Sequence, residues 1–156
     1  MYLAMLLLLM LVLPVVSVVL EAAVFGSADL PFLIGKWFVF WGVGLRLLLA
    51  GIKQAAQPSF TAEKIFGISD AKVLPLVQEI GFGNLAIGLL GIATILQPAW
   101  IAPAAVVGCV FFALAGFGHL GRSARNRKEN VAMVSDLGLS LVLAVYLAMQ
   151  FFRAAA

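Results

Sequence analysis

WIAPAAVVGCVFFALAGFGHL, from Trp100 to Leu120, contains no lysine, arginine, aspartate or glutamate. About 20 apolar residues in an α-helix cross the ~30 Å hydrocarbon core of a bilayer. Water is absent there, so the backbone must satisfy its own polar groups, which a helix does. The stretch therefore reads as a transmembrane helix. Four others meet the same test: about Tyr2 to Leu20, Phe32 to Ile52, Leu74 to Leu96 and Val131 to Phe152. The expected fold is all-α, a polytopic membrane helical bundle of five transmembrane helices plus a short interfacial helix, in a single integral membrane domain over residues 1–156.

Composition points the same way. The chain is 64% hydrophobic and 11% charged, with a mean hydropathy of +1.14, whereas soluble domains are about half apolar and about a quarter charged. So few charges cannot coat a water-soluble surface. A soluble enzyme, a nucleic-acid-binding domain and a disordered regulator are excluded as main readings. The net charge of +3 fits basic loops on a membrane protein better than a clustered DNA-binding face. The single cysteine, Cys109, leaves no internal disulfide, CxxC redox pair or Cys-rich metal site, and reads as a small packing residue.

The first apolar stretch lacks the basic flank of a secretory signal and is longer than its usual apolar core, so it is expected to be retained despite the weak Gly26-Ser27-Ala28 cleavage pattern. Pro14 is tolerable within it. Between the second and third stretches, Ser59 or Thr61 is expected to cap a short interfacial helix that runs through Ile65 and ends at Gly67. Orientation follows the basic residues. Arg122, Arg125, Arg127 and Lys128 lie in one loop, and Lys53, Lys64 and Lys72 in another; five crossings put both loops on one side. That side is expected to be cytoplasmic, with the N-terminus inside and the C-terminus outside. Trp37, Trp41, Trp100 and Tyr146 then fall toward the outer interface as an aromatic belt, where Glu21 and Lys36 are expected to snorkel.

Polar residues inside spanning helices are costly and default to functional hypotheses. They are Arg46 in the second stretch, Glu79 and Asn84 in the third, His119 in the fourth and Asp136 in the fifth. Small residues mark close helix packing. At helical spacing Arg46 shares a face with Gly42 and Ala50, Asp136 with Ser140, Ala144 and Ala148, and His119 with Ala115 and Gly116. Asn84 aligns with Gly88 and Gly91, and Glu79 lies near Gly83. All five are therefore expected on packing faces, in a buried cluster at the cytoplasmic end, with Asn84 nearer the middle and facing a different neighbour from Glu79. Arg46 is expected to pair with Glu79 or Asp136, and His119 with the other carboxylate. One reading makes the cluster structural glue. The other makes it a small pocket for a polar headgroup or a proton relay, a role histidine commonly fills.

Several chemistries are missing. One histidine cannot give bis-histidine haem ligation. Ser135 and Asp136 are sequence neighbours that point apart on a helix, so no catalytic triad is evident. Gly81 and Gly83 lie in a membrane helix, where they mean packing rather than phosphate binding. No cofactor is identified.

The segment from Gln78 to Gly91, QEIGFGNLAIGLLG, resembles a family of small bacterial integral membrane proteins classed only as a domain of unknown function. The matching pattern is Glu79, Gly81, Phe82, Asn84, Leu85, Ala86 and Gly88, followed by Gly118-His119 in the next helix. Phe60 to Gly67 resembles the family's preceding amphipathic segment, and Asn126, Asn130 and Asp136 its following turn and helix start. More loosely, the organisation is similar to DoxX-like membrane proteins, often associated with redox or sulfur metabolism. The resemblance implies that Glu79, Asn84, His119 and Asp136 belong together, in a bacterial cytoplasmic (inner) membrane protein; it carries no activity.

The leading expectation is a non-enzymatic accessory or assembly subunit whose polar cluster binds a lipid or quinone-like headgroup or a partner helix. It would act in a lipid bilayer, within a larger membrane complex or a homo-oligomer, and without nucleic acid. The alternatives are a small oligomeric proton-coupled transporter or channel, and a membrane redox subunit or enzyme using His119 with an acidic partner.

Overall fold

Long helices that are apolar on every side pack where small residues let two backbones approach. The computed structural model describes residues 2–26, 29–121 and 127–155, and these form six helices joined by short turns. They are α1 (Leu3–Phe25), α2 (Leu30–Ala56), α3 (Pro58–Lys64), α4 (Ala71–Ala93), α5 (Pro98–Leu120) and α6 (Arg127–Ala155). All except α3 are long and apolar enough to cross a membrane, and the molecule is an integral membrane protein whose spans contact lipid. Arg122, Arg125 and Asn126 of the basic loop, and Ser27-Ala28, lie outside the described residues.

The helices end where local chemistry stops them. α1 runs past Leu20 to Phe25, because Glu21 stays helical and pairs with Lys36 of α2 at 2.7 Å; Gly26, at φ 63°, then turns the chain. Trp37 also donates to Glu21, at 2.6 Å. Glu21 and Lys36 thus answer each other rather than snorkelling separately. Asp29 caps α2 by accepting from the Phe32 N–H. α4 stops at Ala93, short of Leu96, and Thr94 donates to the Gly91 carbonyl at 2.7 Å. Neither Ser59 nor Thr61 caps α3. Pro58 occupies its first turn, where a missing N–H costs nothing, so both residues fall inside the helix and Thr61 is buried. Gly67, at φ 69°, follows its end.

α2 is central, touching α1, α4, α5 and α6. Val39 and Val43 of α2, Ala104 and Phe112 of α5, and Leu139 and Leu143 of α6 form the core. Tyr146 belongs to this core and not to an aromatic belt: its ring lies against Gly35, where an added Cβ would sit 2.3 Å away. Trp37 and Trp41 are half-buried, and Trp41 donates to Ser17 of α1 at 3.0 Å; Trp100 is exposed.

Candidate binding site

The site begins where α2 leaves a stretch of π-helix, Val39–Leu45, and resumes α-helical geometry at Arg46. A π turn holds an extra residue and so re-aims whatever follows it. Within it, Gly44 lies against α4, and a Cβ on the facing Gly91 would sit 2.6 Å from the Gly44 Cα. Gly42 faces Leu139 of α6. Arg46, one turn on, also faces α6. Its Nη2 is ion-paired with Asp136 and donates to Ser135 Oγ at 3.2 Å. Its guanidinium lies 4.6 Å from the centre of the Phe112 ring. Both partners of the pair are buried, so each offsets the other's desolvation. Arg46 Nη1 is buried and has no partner.

Asn84 lies on the α4 stripe of Val77, Gly81, Gly88 and Gly91 that packs against α2. It donates from Nδ2 to Gln54 Oε1 at 2.6 Å, and its Oδ1 is buried without a partner. Turning both amides over would exchange donor for acceptor and still leave one end of Asn84 unmatched. His119, on α5, is 3.1 Å from Glu129 Oε1 through Nδ1 and stacks on Phe66, with ring centroids 6.3 Å apart.

Four of the five polar residues singled out in the sequence therefore meet, and Glu79 does not. Glu79 is exposed and makes no ion pair among the described residues. It lies two residues before Gly81, roughly 200° around the helix at 3.6 residues per turn. Gly83, its neighbour on that face, has open space where a Cβ would go. The expected pairing of His119 with Glu79 or Asp136 is replaced by a pairing with Glu129. The face assigned to Asp136 is corrected too, because Ala144 and Ala148 are exposed. Steps of four residues drift, and by Ala148 the drift is about 120°; the buried stripe is Ala132, Asp136, Leu139, Leu143 and Tyr146. Glu129 and Gln54 were missed because both fall outside the apolar stretches, in segments that read as loop. A helix continuing beyond its apolar run was the only available signal.

Arg46, Gln54, Asn84, His119 and Asp136 line one cavity of about 920 Å³, within the size range of small-molecule sites. Arg46, Asp136, Asn84, Gln54 and His119 give it a polar side; Leu47, Ile80, Phe111 and Phe112 are among its apolar walls. Phe60 and Thr61 of α3, with Ile65 and Phe66, line it at the end of the bundle that carries Lys53 and Lys64. Among the described residues no three His, Cys, Asp or Glu side chains are grouped to hold a metal ion. The arrangement can bind and orient a molecule that is polar at one end and apolar elsewhere.

Ser140 donates to the Cys109 carbonyl at 3.0 Å, joining α5 to α6, in keeping with a packing role for Cys109.

Comparison with known proteins gives one family. A model described as "Family of unknown function (DUF6790)" matches residues 1–155. No curated protein matches, and no solved structure does.

Proposed function

The chain belongs to that family of unknown function, and from its geometry we propose that it is a non-enzymatic membrane binding protein, acting as an accessory or assembly subunit, that holds the polar head of a lipid or quinone-like molecule against Arg46 and Asn84. The observation that carries this reading is the pair of unmatched buried polar atoms, Arg46 Nη1 and Asn84 Oδ1, on side chains that line one largely apolar cavity. A buried polar group without a partner costs about 1–3 kcal/mol. A ligand oxygen that accepts from Arg46 Nη1 and a ligand hydroxyl that donates to Asn84 Oδ1 would offset that cost, while the Leu47, Phe111 and Phe112 surfaces favour an apolar body next to it. The Arg46–Asp136 pair and the His119–Glu129 pair position the polar side; they are not assigned a chemical step.

The experiment is purification of the full chain in mild detergent, followed by extraction and mass spectrometry of what co-purifies. A stoichiometric lipid or quinone is expected with the wild type and depleted in a folded Asn84→Leu variant. Equal retention by both proteins, or a folded wild type that carries nothing and takes up neither class when supplied, would overturn the reading.

A further inference from the structure

A second hollow adjoins the cavity. It lies between α1 and α6, has a volume of about 600 Å³, and is lined by Leu3, Leu7, Met10, Val134, Gly138 and Val142, among others. Leu6 borders both spaces. Two consecutive residues of α6 divide in the same way: Ser135 lines the hollow and Asp136 the cavity, and Arg46 bonds to both. The hollow thus adjoins the polar side of the cavity, with Leu6 and the Arg46 contacts at their common border.

The buried guanidinium is already matched, since Arg46 is paired with Asp136, and His119 Nδ1 lies 3.1 Å from Glu129 Oε1. Lys53, at the cavity edge, is bonded to Gln57 and lies over the Phe60 ring at 4.7 Å. A full negative charge on a head held between Arg46 and Asn84 would meet the Asp136 carboxylate beside a guanidinium that is already paired, and an uncompensated charge in such a site is strongly unfavourable. What remains open is one N–H of Arg46 and one amide end of Asn84. The Arg46 N–H matches a carbonyl or hydroxyl oxygen, and the Asn84 end matches a donating hydroxyl as placed, or a carbonyl with its amide turned over, on an uncharged head.

We propose that the ligand is a neutral-headed, long-tailed lipid, its carbonyl or hydroxyl oxygens at Arg46 and Asn84 and its tail passing Leu6 into the α1–α6 hollow. This rests on the binding role proposed above and specifies its ligand class. Glycerides and isoprenoid quinones share this chemistry, and the probes below separate them.

Three glycines allow a test that leaves the packing alone, since a Cβ at Gly138, Gly118 or Gly83 meets nothing within 4 Å. Gly138→Leu fills the hollow, Gly118→Leu enters the cavity, and Gly83→Leu reaches neither. Native mass spectrometry of the full chain would be run with dioleoylglycerol, a long-chain ubiquinone, the short-chain dihexanoylglycerol and dioleoyl phosphatidic acid. At least one long neutral probe is expected to bind the wild type and Gly83→Leu alike, and about tenfold more weakly to Gly138→Leu. Gly118→Leu is expected to weaken every neutral probe. Which long probe binds, glyceride or quinone, identifies the source, and either supports the proposal. Dihexanoylglycerol is expected to ignore Gly138→Leu, because its tails are too short to reach the hollow. Preference for phosphatidic acid, or a Gly138→Leu effect that is absent or independent of tail length, would overturn the neutral-head and tail assignment while leaving a binding cavity in place. No binding of any probe to the wild type would remove both.

Discussion

Arg46 is the residue on which most of the site depends. It is a charge buried in a membrane helix, tied to Asp136 and Ser135 and stacked on Phe112. Removing one member of a buried pair leaves the other uncompensated, at a cost of about 3–5 kcal/mol, whereas replacing both by apolar groups is often close to neutral. Asp136→Ala is therefore expected to lower the thermal midpoint of the detergent-solubilised protein sharply. The double change Arg46→Met with Asp136→Leu should lower it much less. If the double change is as damaging as the single one, the pair is not the source of the effect. Glu79 gives the contrast. It is exposed and outside the cavity, so Glu79→Gln is expected to shift stability by no more than about 0.5 kcal/mol, read in the same thermal assay.

At the scale of elements, the α2–α4 contact holds Arg46 and Asn84 at their separation. It is built by glycines: a Cβ at Gly88 would lie 2.4 Å from the Leu48 nitrogen, and one at Gly91 would lie 2.6 Å from Gly44. Neither backbone can retreat without moving its helix. Gly91→Ala is expected to destabilise by about 1–3 kcal/mol through overpacking, while Gly83→Ala, on the open face of the same helix, should be nearly silent. At the other end of the bundle, Asp29 accepts from Arg153 at 2.7 Å and joins the start of α2 to the end of α6. The hydrogen bond from Arg153, then that from the Phe32 N–H, hold the Asp29 carboxyl below the usual carboxylate range. A depressed folded-state value means the stabilisation is in place above the unfolded value of about 3.9 and is lost as pH falls through the folded value. Asp29→Asn should therefore remove a small part of the acid sensitivity below about pH 4 and change little near neutrality, as read from thermal midpoints across pH.

For the whole molecule, the positive-inside rule gives the expectation that the end carrying Lys53, Lys64 and Lys72 faces the cytoplasm. In a Cys109→Ala background, Ser69→Cys is expected to be labelled by an impermeant thiol reagent only after the membrane is opened, and Leu96→Cys in intact cells; both positions are exposed. The reverse pattern would invert the orientation and put the Arg46 cavity at the outer end. With the expected orientation, the cavity lined in part by α3 lies toward the cytoplasmic face, and the Glu21–Lys36–Trp37 cluster lies at the opposite one.

The amino-acid sequence alone determined the five membrane-length helices, because length and apolarity are properties of a segment and a bilayer leaves the backbone no other solution. It also gave Arg46 a carboxylate partner, either Glu79 or Asp136, since a buried charge of either sign needs its opposite and small neighbours marked their faces. Only the tertiary structure decided which carboxylate was which. Glu79 and Asp136 look alike in sequence, but the glycine stripe of α4 turns Glu79 outward and the π turn of α2 aims Arg46 at α6. Glu129 and Gln54 entered the site because their helices continue past the apolar runs. The cavity itself, with Arg46 Nη1 and Asn84 Oδ1 unmatched on residues that line it, belongs to no single segment: it is the space left when the five spanning helices and α3 pack, and which polar atoms stay unpaired there depends on distances between helices.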